Sequence, residues 1–199
     1  MIKKAEFLMS NSKLSMCPAP DRPEYAFIGR SNVGKSSLTN MLTGQKKLAK
    51  ISATPGKTQL INHFIIDDSW YLVDLPGYGY TKVTEKVKYK FQKLVSDYIL
   101  KRENLYCLFV LIDSRHEMQK IDSEFMQWLG ENEIPFAIIF TKADKLGKTN
   151  LDKNIATYKK QLLKVWEELP DIFISSSVDG TGREEILGFI DSINHSDVE

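Results

Sequence analysis

The feature that most constrains this chain is the segment 29–36, which fits the pattern G-x-x-x-x-G-K-[ST]. It follows a short apolar run and precedes a predicted helix. Its two glycines allow the backbone to curl so that successive N–H groups point inward, and the helix dipole adds positive potential. Lys35 can reach the β- and γ-phosphates of a nucleotide, and the hydroxyl of Ser36 is a ligand that Mg²⁺ accepts. The segment therefore predicts a strand, loop and helix that bind a triphosphate with magnesium.

Apolar runs alternate along the chain with stretches of helical spacing. Strands are predicted at residues 25–29, 60–67, 70–75, 105–113, 135–141 and 172–177. Helices are predicted to begin at 36–42 and to occupy 85–101, 121–129, 151–168 and 182–193. This alternation is typical of a three-layer α/β domain. We expect a mostly parallel six-stranded sheet with one antiparallel edge strand, supplied by the hairpin within 60–75.

The composition is that of an ordinary globular domain. The 199 residues are 42% hydrophobic and 27% charged, which excludes disordered, collagen-like and coiled-coil proteins. No apolar stretch approaches the roughly 20 residues of a membrane span, and the N-terminus is too short in apolar residues for a signal peptide. The two cysteines favour a reducing, cytosolic compartment. We expect one domain over residues 23–195, with residues 1–22 forming an arm or edge strand packed on it.

The two halves of the chain differ in charge. Residues 1–102 carry 17 basic and 8 acidic side chains, a net charge of +9, whereas residues 103–199 carry 10 and 18, a net charge of −8. A polyanionic partner on one face would explain this difference. Alternatively, the halves interleave in the fold and the surface charge averages out.

A second nucleotide element follows the predicted strand 70–75. Asp74 ends the apolar run, and Asp74, Leu75, Pro76 and Gly77 give the pattern D-x-x-G. In a phosphate-loop protein, the Asp74 carboxylate would hold a water molecule bound to Mg²⁺, and the Gly77 N–H would sense the γ-phosphate.

A third element indicates which base is bound. Residues 141–144, Thr-Lys-Ala-Asp, close the strand 135–141. The Asp144 carboxylate can accept the two donors at the edge of guanine, and the aliphatic stem of Lys142 can lie along the base. Thr141 has no amide for the base, so we expect it to brace the phosphate loop. Ser175, Ser176 and Ser177 end the last strand and offer backbone N–H groups to the guanine O6, with Ser177 as the candidate.

In this order, the motifs GRSNVGKSS, TPGKTQ, DLPGYGY and TKAD resemble the EngB family of bacterial Ras-like P-loop GTPases, also called YihA or YsxC. The resemblance covers roughly residues 5–190. It implies a cytoplasmic, monomeric GTPase that uses Mg²⁺ and acts on the large ribosomal subunit or its precursor, with a role in cell division and septation and no DNA partner.

The resemblance also implies site residues. Lys35, Thr58 and Gly77 would be catalytic, and Ser36, Thr58 and Asp74 would hold the metal, Asp74 through water. The nucleotide contacts would be Gly29, Arg30, Ser31, Asn32, Val33, Gly34, Lys35, Ser36, Ser37, Gly56, Lys57, Thr58, Gln59, Leu60, Asp74, Leu75, Pro76, Gly77, Thr141, Lys142, Ala143, Asp144, Ser175, Ser176 and Ser177.

The sequence predicts slow hydrolysis. Tyr78 stands where many GTPases have a glutamine that orients water, and a phenol cannot do the same work. Acceleration would need a partner or a K⁺ ion bound near Asn32, as in some related GTPases. Two other functions remain open at this point: a nucleotide-gated scaffold in septum formation with incidental hydrolysis, and an adenine-specific NTPase or kinase.

Overall fold

The structure, a computed structural model, describes residues 2–50, 60–78 and 85–196, without the side chains of 85–88 and 91. The strands are β1 (Ala5–Asn11), β2 (Glu24–Gly29), β3 (Ile61–Ile66), β4 (Trp70–Asp74), β5 (Leu105–Asp113), β6 (Phe136–Thr141) and β7 (Ile172–Ile174). The helices are α1 (Lys35–Thr43), α2 (Glu85–Lys101), α3 (Lys120–Glu131), α4 (Lys148–Leu162) and α5 (Arg183–Ser196). In the part of the chain so described, no helix combines the length and apolar composition needed to cross a membrane.

The strands form one sheet in the order β1-β3-β4-β2-β5-β6-β7. The pairs β2–β4, β2–β5, β5–β6 and β6–β7 are parallel. The strands of these four pairs consist almost entirely of apolar residues, as strands buried on both faces should. The carboxyl ends of the parallel strands therefore lie along one edge of the sheet, where ligands of such folds bind.

The helices cover both faces of the sheet. Leu38 of α1 and Ile186 of α5 belong to one apolar cluster, together with Phe27 of β2. Val95 of α2 and Met126 of α3 belong to the other cluster, on the opposite face, as does Ile155 of α4. The predicted three-layer α/β architecture is confirmed.

The predicted number of strands is wrong. Among the residues that the structure describes, the sheet has seven strands rather than six, because β1 pairs with β3 as the edge strand. β3, which runs against its neighbour β4, is therefore an inner strand and not the edge strand. The sequence signal of β1 is weak because its apolar residues Phe7 and Leu8 are adjacent and do not alternate with polar ones, as they would in a half-buried strand. Both side chains are exposed in the structure.

Two elements end earlier than predicted. α4 ends at Leu162, whose carbonyl accepts the N–H groups of both Val165 and Trp166 in a turn. This turn places the Trp166 ring 5.5 Å from that of Phe136. β7 ends at Ile174, and the serines predicted to end it form the following loop.

Candidate nucleotide-binding site

The phosphate loop connects the end of β2 to the start of α1. Asn32 and Gly34 have positive φ angles of 60° and 111°, a backbone conformation that residues other than glycine rarely adopt. Gly34 caps α1, and its carbonyl accepts the Leu38 N–H at 2.9 Å. At Gly29 a Cβ atom would lie 2.8 Å from the carbonyl oxygen of Leu111. Gly34 is therefore required by its backbone conformation, and Gly29 because there is no room for a side chain.

The base-recognition segment is bonded directly to the phosphate loop. The Thr141 hydroxyl donates to the Val33 carbonyl at 2.6 Å, as expected from the sequence. Lys142 Nζ donates to the Asn32 carbonyl at 2.6 Å. Because these bonds join the end of β6 to the loop after β2, the two segments can hold the two ends of one nucleotide in fixed relation.

Asp113 is a site residue that the sequence analysis missed. It ends β5, and its carboxylate lies 3.0 Å from Lys142 Nζ and accepts a two-pronged contact from Arg115 at 2.9 and 2.8 Å. Burial opposes ionisation here, but the bonds from Arg115 and Lys142 outweigh it and hold the pKa of Asp113 well below its usual range. The signal was present in the sequence, since Asp113, like Asp74, ends an apolar run at the same edge of the sheet.

Asp144 lies beside the loop that follows β7 and contains Ser175, Ser176 and Ser177, here called the serine loop. The Ser176 hydroxyl donates to one carboxylate oxygen of Asp144 at 3.0 Å, and Lys145 Nζ lies 3.1 Å from the other. Burial works against the charged form, yet these two contacts lower the pKa of Asp144. The carboxylate is thus held ionised, as an acceptor of the two guanine donors must be.

The serine loop uses most of its inner backbone groups for its own structure. The N–H of Ser175 donates to the Phe140 carbonyl at 2.7 Å, and the N–H of Ser176 donates to the Thr181 carbonyl at 3.1 Å. Both serines are buried, whereas Ser177 is exposed. Of the three serines, Ser177 is therefore the one whose position suits a contact with a base, and this role stays a prediction.

Asp74 ends β4 in a buried position. It is only 2% exposed, and its Oδ1 has no hydrogen-bond partner among the described residues. Burial raises the pKa of Asp74 to about 6, although the positive charge of Lys35 opposes the shift. A buried carboxylate oxygen without a partner is costly unless a ligand completes it. The donor set of Asp74 and Ser36, both oxygen ligands, fits Mg²⁺.

The residues after Asp74 run along the phosphate loop. The Leu75 N–H donates to the Phe27 carbonyl at 2.9 Å, and the Tyr78 N–H donates to the Gly29 carbonyl at 3.3 Å. Leu75, Pro76 and Gly77 are buried. The D-x-x-G segment is therefore brought against the start of the phosphate loop.

Part of the predicted site lies outside the described residues. This applies to Gly56, Lys57, Thr58 and Gln59, including the predicted metal ligand Thr58. Leu60, the last member of that group, is described and is exposed. The phosphate loop, the D-x-x-G segment, the base-recognition segment and the serine loop are all brought to the same edge of the sheet.

Comparison with known proteins agrees with this geometry. A sequence model described as 50S ribosome-binding GTPase matches residues 24–142. A probable GTP-binding protein EngB of Christiangramia forsetii is 62% identical over 195 residues, 98% of each chain. Its counterpart in Porphyromonas gingivalis is 64% identical over 193 residues, 97% of this chain and 96% of that one.

Solved structures share the fold at lower identity. The crystal structure of a probable GTP-binding protein EngB has a TM-score of 0.69 at 24% identity and covers 87% of this chain and 99% of its own. Era, solved with MgGDPNP and nucleotides 1506–1542 of 16S ribosomal RNA, has a TM-score of 0.68 at 23% identity, over 86% of this chain and 56% of Era. The family assignment rests on the sequence matches: this chain belongs to the EngB group of the 50S ribosome-binding GTPase family.

Proposed function

We propose that this GTPase is a Mg²⁺-dependent switch that hydrolyses GTP slowly and acts in the assembly of the large ribosomal subunit in the bacterial cytoplasm. A consequence for cell division and septation would follow from that role.

The observation that carries the base assignment is the bonding of residues 141–144 to the phosphate loop. Thr141 and Lys142 bond to the Val33 and Asn32 carbonyls, and Asp144 lies two residues after Lys142. A base held by Asp144 therefore sits at a set distance from phosphates held by the loop. Asp144 accepts from N1–H and the exocyclic amine of guanine, an edge at which adenine offers no matching pair of donors.

The triphosphate is assigned to the loop N–H groups and to Lys35. Ser36 and Asp74, with Thr58 from outside the described residues, would hold Mg²⁺, which compensates the negative charge that develops on the phosphates. The unpartnered Oδ1 of Asp74 supports this assignment. Lys35 and the loop bind and orient the γ-phosphate, while Gly77 senses its presence.

Slow hydrolysis agrees with the positions of two side chains. The hydroxyl of Tyr78, in the place of the water-orienting glutamine, donates to Asp122 at 2.9 Å. The guanidinium of Arg30, the arginine of the phosphate loop, is paired with the same carboxylate. Neither group is directed to an attacking water, so an activating partner, or K⁺ near Asn32, would supply the missing charge.

The partner is inferred from the family and from charge. The matching family is described as binding the 50S subunit, and Era has been solved with ribosomal RNA. Lys46, Lys47 and Lys50 are exposed after α1, and Lys90 and Lys93 are exposed on α2. These lysines follow the phosphate loop and the D-x-x-G segment in the chain, so a basic surface beside both would attract an RNA backbone.

The base assignment is tested by Asp144→Asn. An asparagine donates where the carboxylate accepted, so affinity should move from GTP toward xanthosine triphosphate, which carries an oxygen in place of the exocyclic amine. Titration calorimetry with GTP, XTP and ATP measures this shift. Asp179→Asn, the same charge change in the neighbouring loop, is the matched control. Unchanged GTP preference in Asp144→Asn would remove the base assignment.

The partner assignment is tested by co-sedimentation with 50S subunits and their precursors. We expect more protein in the pellet with a non-hydrolysable GTP analogue than with GDP, and a steep loss as salt rises. Binding that is indifferent to the nucleotide would contradict the switch and would favour a scaffold. Absence of binding to any ribosomal particle would contradict the partner.

A further inference from the structure

Asp122 is a buried carboxylate that the proposed chemistry does not use. It lies in the first turn of α3 and is fully buried. Its Oδ1 accepts the Tyr78 hydroxyl at 2.9 Å and lies 3.3 Å from Nε of Arg30. Arg30 belongs to the phosphate loop and Tyr78 follows Gly77, so one oxygen atom on α3 holds both nucleotide-facing segments.

Tyr78 is held at three points. Besides the bond to Asp122, its ring stacks on Phe125 at 4.7 Å with an angle of 30°, and its N–H donates to the Gly29 carbonyl. Phe125 in turn stacks on Trp128 at 6.0 Å. Because Gly77 is the preceding residue, its backbone position is fixed relative to the phosphate loop by the contacts of Tyr78.

The arrangement is more costly than the fold requires. Asp122 Oδ2 is buried without a hydrogen-bond partner among the described residues, and so is the Tyr158 hydroxyl. Burial accordingly raises the pKa of Asp122 above its ordinary value, although Arg30 and Tyr78 oppose the shift. Apolar side chains in the place of a buried ion pair are often neutral or stabilising. A purely structural role therefore does not explain the cluster of Arg30, Tyr78 and Asp122.

We propose that Asp122 and Tyr78 are positioning residues that hold Gly77 beside the phosphate loop and so favour GTP over GDP. This inference rests on the proposed function, since it concerns how the same site reads the γ-phosphate. We call the contacts of Tyr78 with Asp122, Phe125 and the Gly29 carbonyl the clamp. Only the triphosphate has a group that meets Gly77, so the free energy of the clamp enters the affinity for GTP and not that for GDP. By linkage, GTP must in turn strengthen the clamp.

The test uses Tyr78→Phe, which removes the hydroxyl and keeps the ring on Phe125, and Asp122→Asn, which removes the charge. Affinities for GDP and for a non-hydrolysable GTP analogue are measured with Mg²⁺. We expect a loss of roughly tenfold for the analogue, the size of one bond to a charged group, with less than about a twofold change for GDP. The double variant should lose less than the product of the two single effects.

The chain contains a matched control at the other end of the sheet. The Tyr71 hydroxyl bonds to Asp21 at 3.1 Å and to Arg22 at 2.9 Å, which reproduces the tyrosine–aspartate–arginine set away from the nucleotide. Tyr71→Phe and Asp21→Asn should leave the ratio of the two affinities unchanged. A second readout is the fluorescence of Trp128, whose change between GDP and the analogue should shrink in Tyr78→Phe.

The outcomes separate the two proposals. If wild type prefers guanine nucleotides but Tyr78→Phe weakens GDP and the analogue equally, or neither, the clamp is overturned and the proposed function stands. If wild type does not discriminate GTP from ATP, the proposed function itself fails. A loss confined to the analogue in both single variants supports the clamp.

Discussion

Two buried carboxylates on neighbouring strands show how this fold separates support from function. Glu24 begins β2 and Asp74 ends β4, and the two strands pair in parallel with Glu24 beside Tyr71 and Phe27 beside Asp74. Glu24 is fully buried and Asp74 is 2% exposed. The two groups thus have the same chemistry and nearly the same burial, at opposite edges of one sheet.

Glu24 is fully partnered. Arg102 contacts both of its oxygens, at 2.5 and 3.3 Å, and His63 Nε2 lies 2.7 Å away. Burial alone would raise the pKa of Glu24, but these contacts outweigh it and lower the pKa. At Asp74 the same burial acts against Lys35 alone, and the pKa rises to about 6. The comparison teaches that the buried carboxylate away from the ligand is completed by protein groups, while Asp74, at the ligand edge, keeps one oxygen without a partner among the described residues.

The largest expected effect is a loss of stability at Glu24, the buried carboxylate whose partners the protein supplies. Glu24→Gln leaves the Arg102 charge buried and unpaired, which should lower the free energy of unfolding by about 3 kcal/mol. Denaturant titration measures it. Asp97→Asn, which breaks the exposed pair with Lys101, is the control and should change little. A Glu24→Gln variant as stable as the control would contradict the assigned role of the network.

The second largest expected effect is a gain in the free energy of unfolding, opposite in sign to that of Glu24→Gln. Asp74→Asn removes a charge that burial disfavours, so nucleotide-free protein at pH 7.5 should gain on the order of 2 kcal/mol in unfolding free energy. The same variant should lose the dependence of GTP affinity on Mg²⁺, measured by calorimetry with and without chelator. A stabilised variant with intact Mg²⁺ dependence would show that Asp74 does not serve the metal.

The two carboxylates should also respond oppositely to pH. The pKa of Glu24 is lowered by folding, so its contribution is present above its ordinary value of 4.5 and is lost as pH falls through the lower folded value. The pKa of Asp74 is raised by folding, so its contribution is present below 3.8 and is lost as pH rises through about 6.

Unfolding titrations from about pH 2.5 to 8 test this opposition. Asp74→Asn should flatten a decline of about 1 kcal/mol per pH unit between pH 4 and 6, and Glu24→Gln should flatten the loss at the acid end. Identical pH profiles for wild type and Asp74→Asn would contradict the raised pKa.

The smallest expected effect concerns the brace between base and phosphates. Thr141→Val keeps the shape and removes the donor to the Val33 carbonyl, so stability should fall by about 1 kcal/mol and GTP affinity by a few fold. Thr157→Val deletes a similar hydroxyl on the exposed surface of α4 and is the matched control. Equal behaviour of both variants in GTP binding would show that the brace does not act on the site.

The ligand edge was far more predictable from the sequence than the opposite edge. The phosphate loop, Asp74 and Asp144 each follow an apolar run, so their common location follows from parallel strands alone. Glu24, His63 and Arg102 are distant in the chain and carry no motif, so nothing local indicated that they meet. The sequence does not indicate the bounds of β1 for a related reason, since the pairing of an edge strand depends on its partner more than on its own pattern.

The central prediction is that the phosphate loop and Asp144 together hold a magnesium-bound guanine nucleotide. Equilibrium titration of the purified protein with GTP and ATP, each with Mg²⁺ and with chelator, measures this directly. We predict a GTP affinity at least about a hundredfold above that for ATP, because a site that accepts hydrogen bonds from the base rejects a base without matching donors, and a clear loss of GTP affinity when Mg²⁺ is removed. Equal affinities for the two nucleotides, or GTP binding indifferent to Mg²⁺, would contradict it.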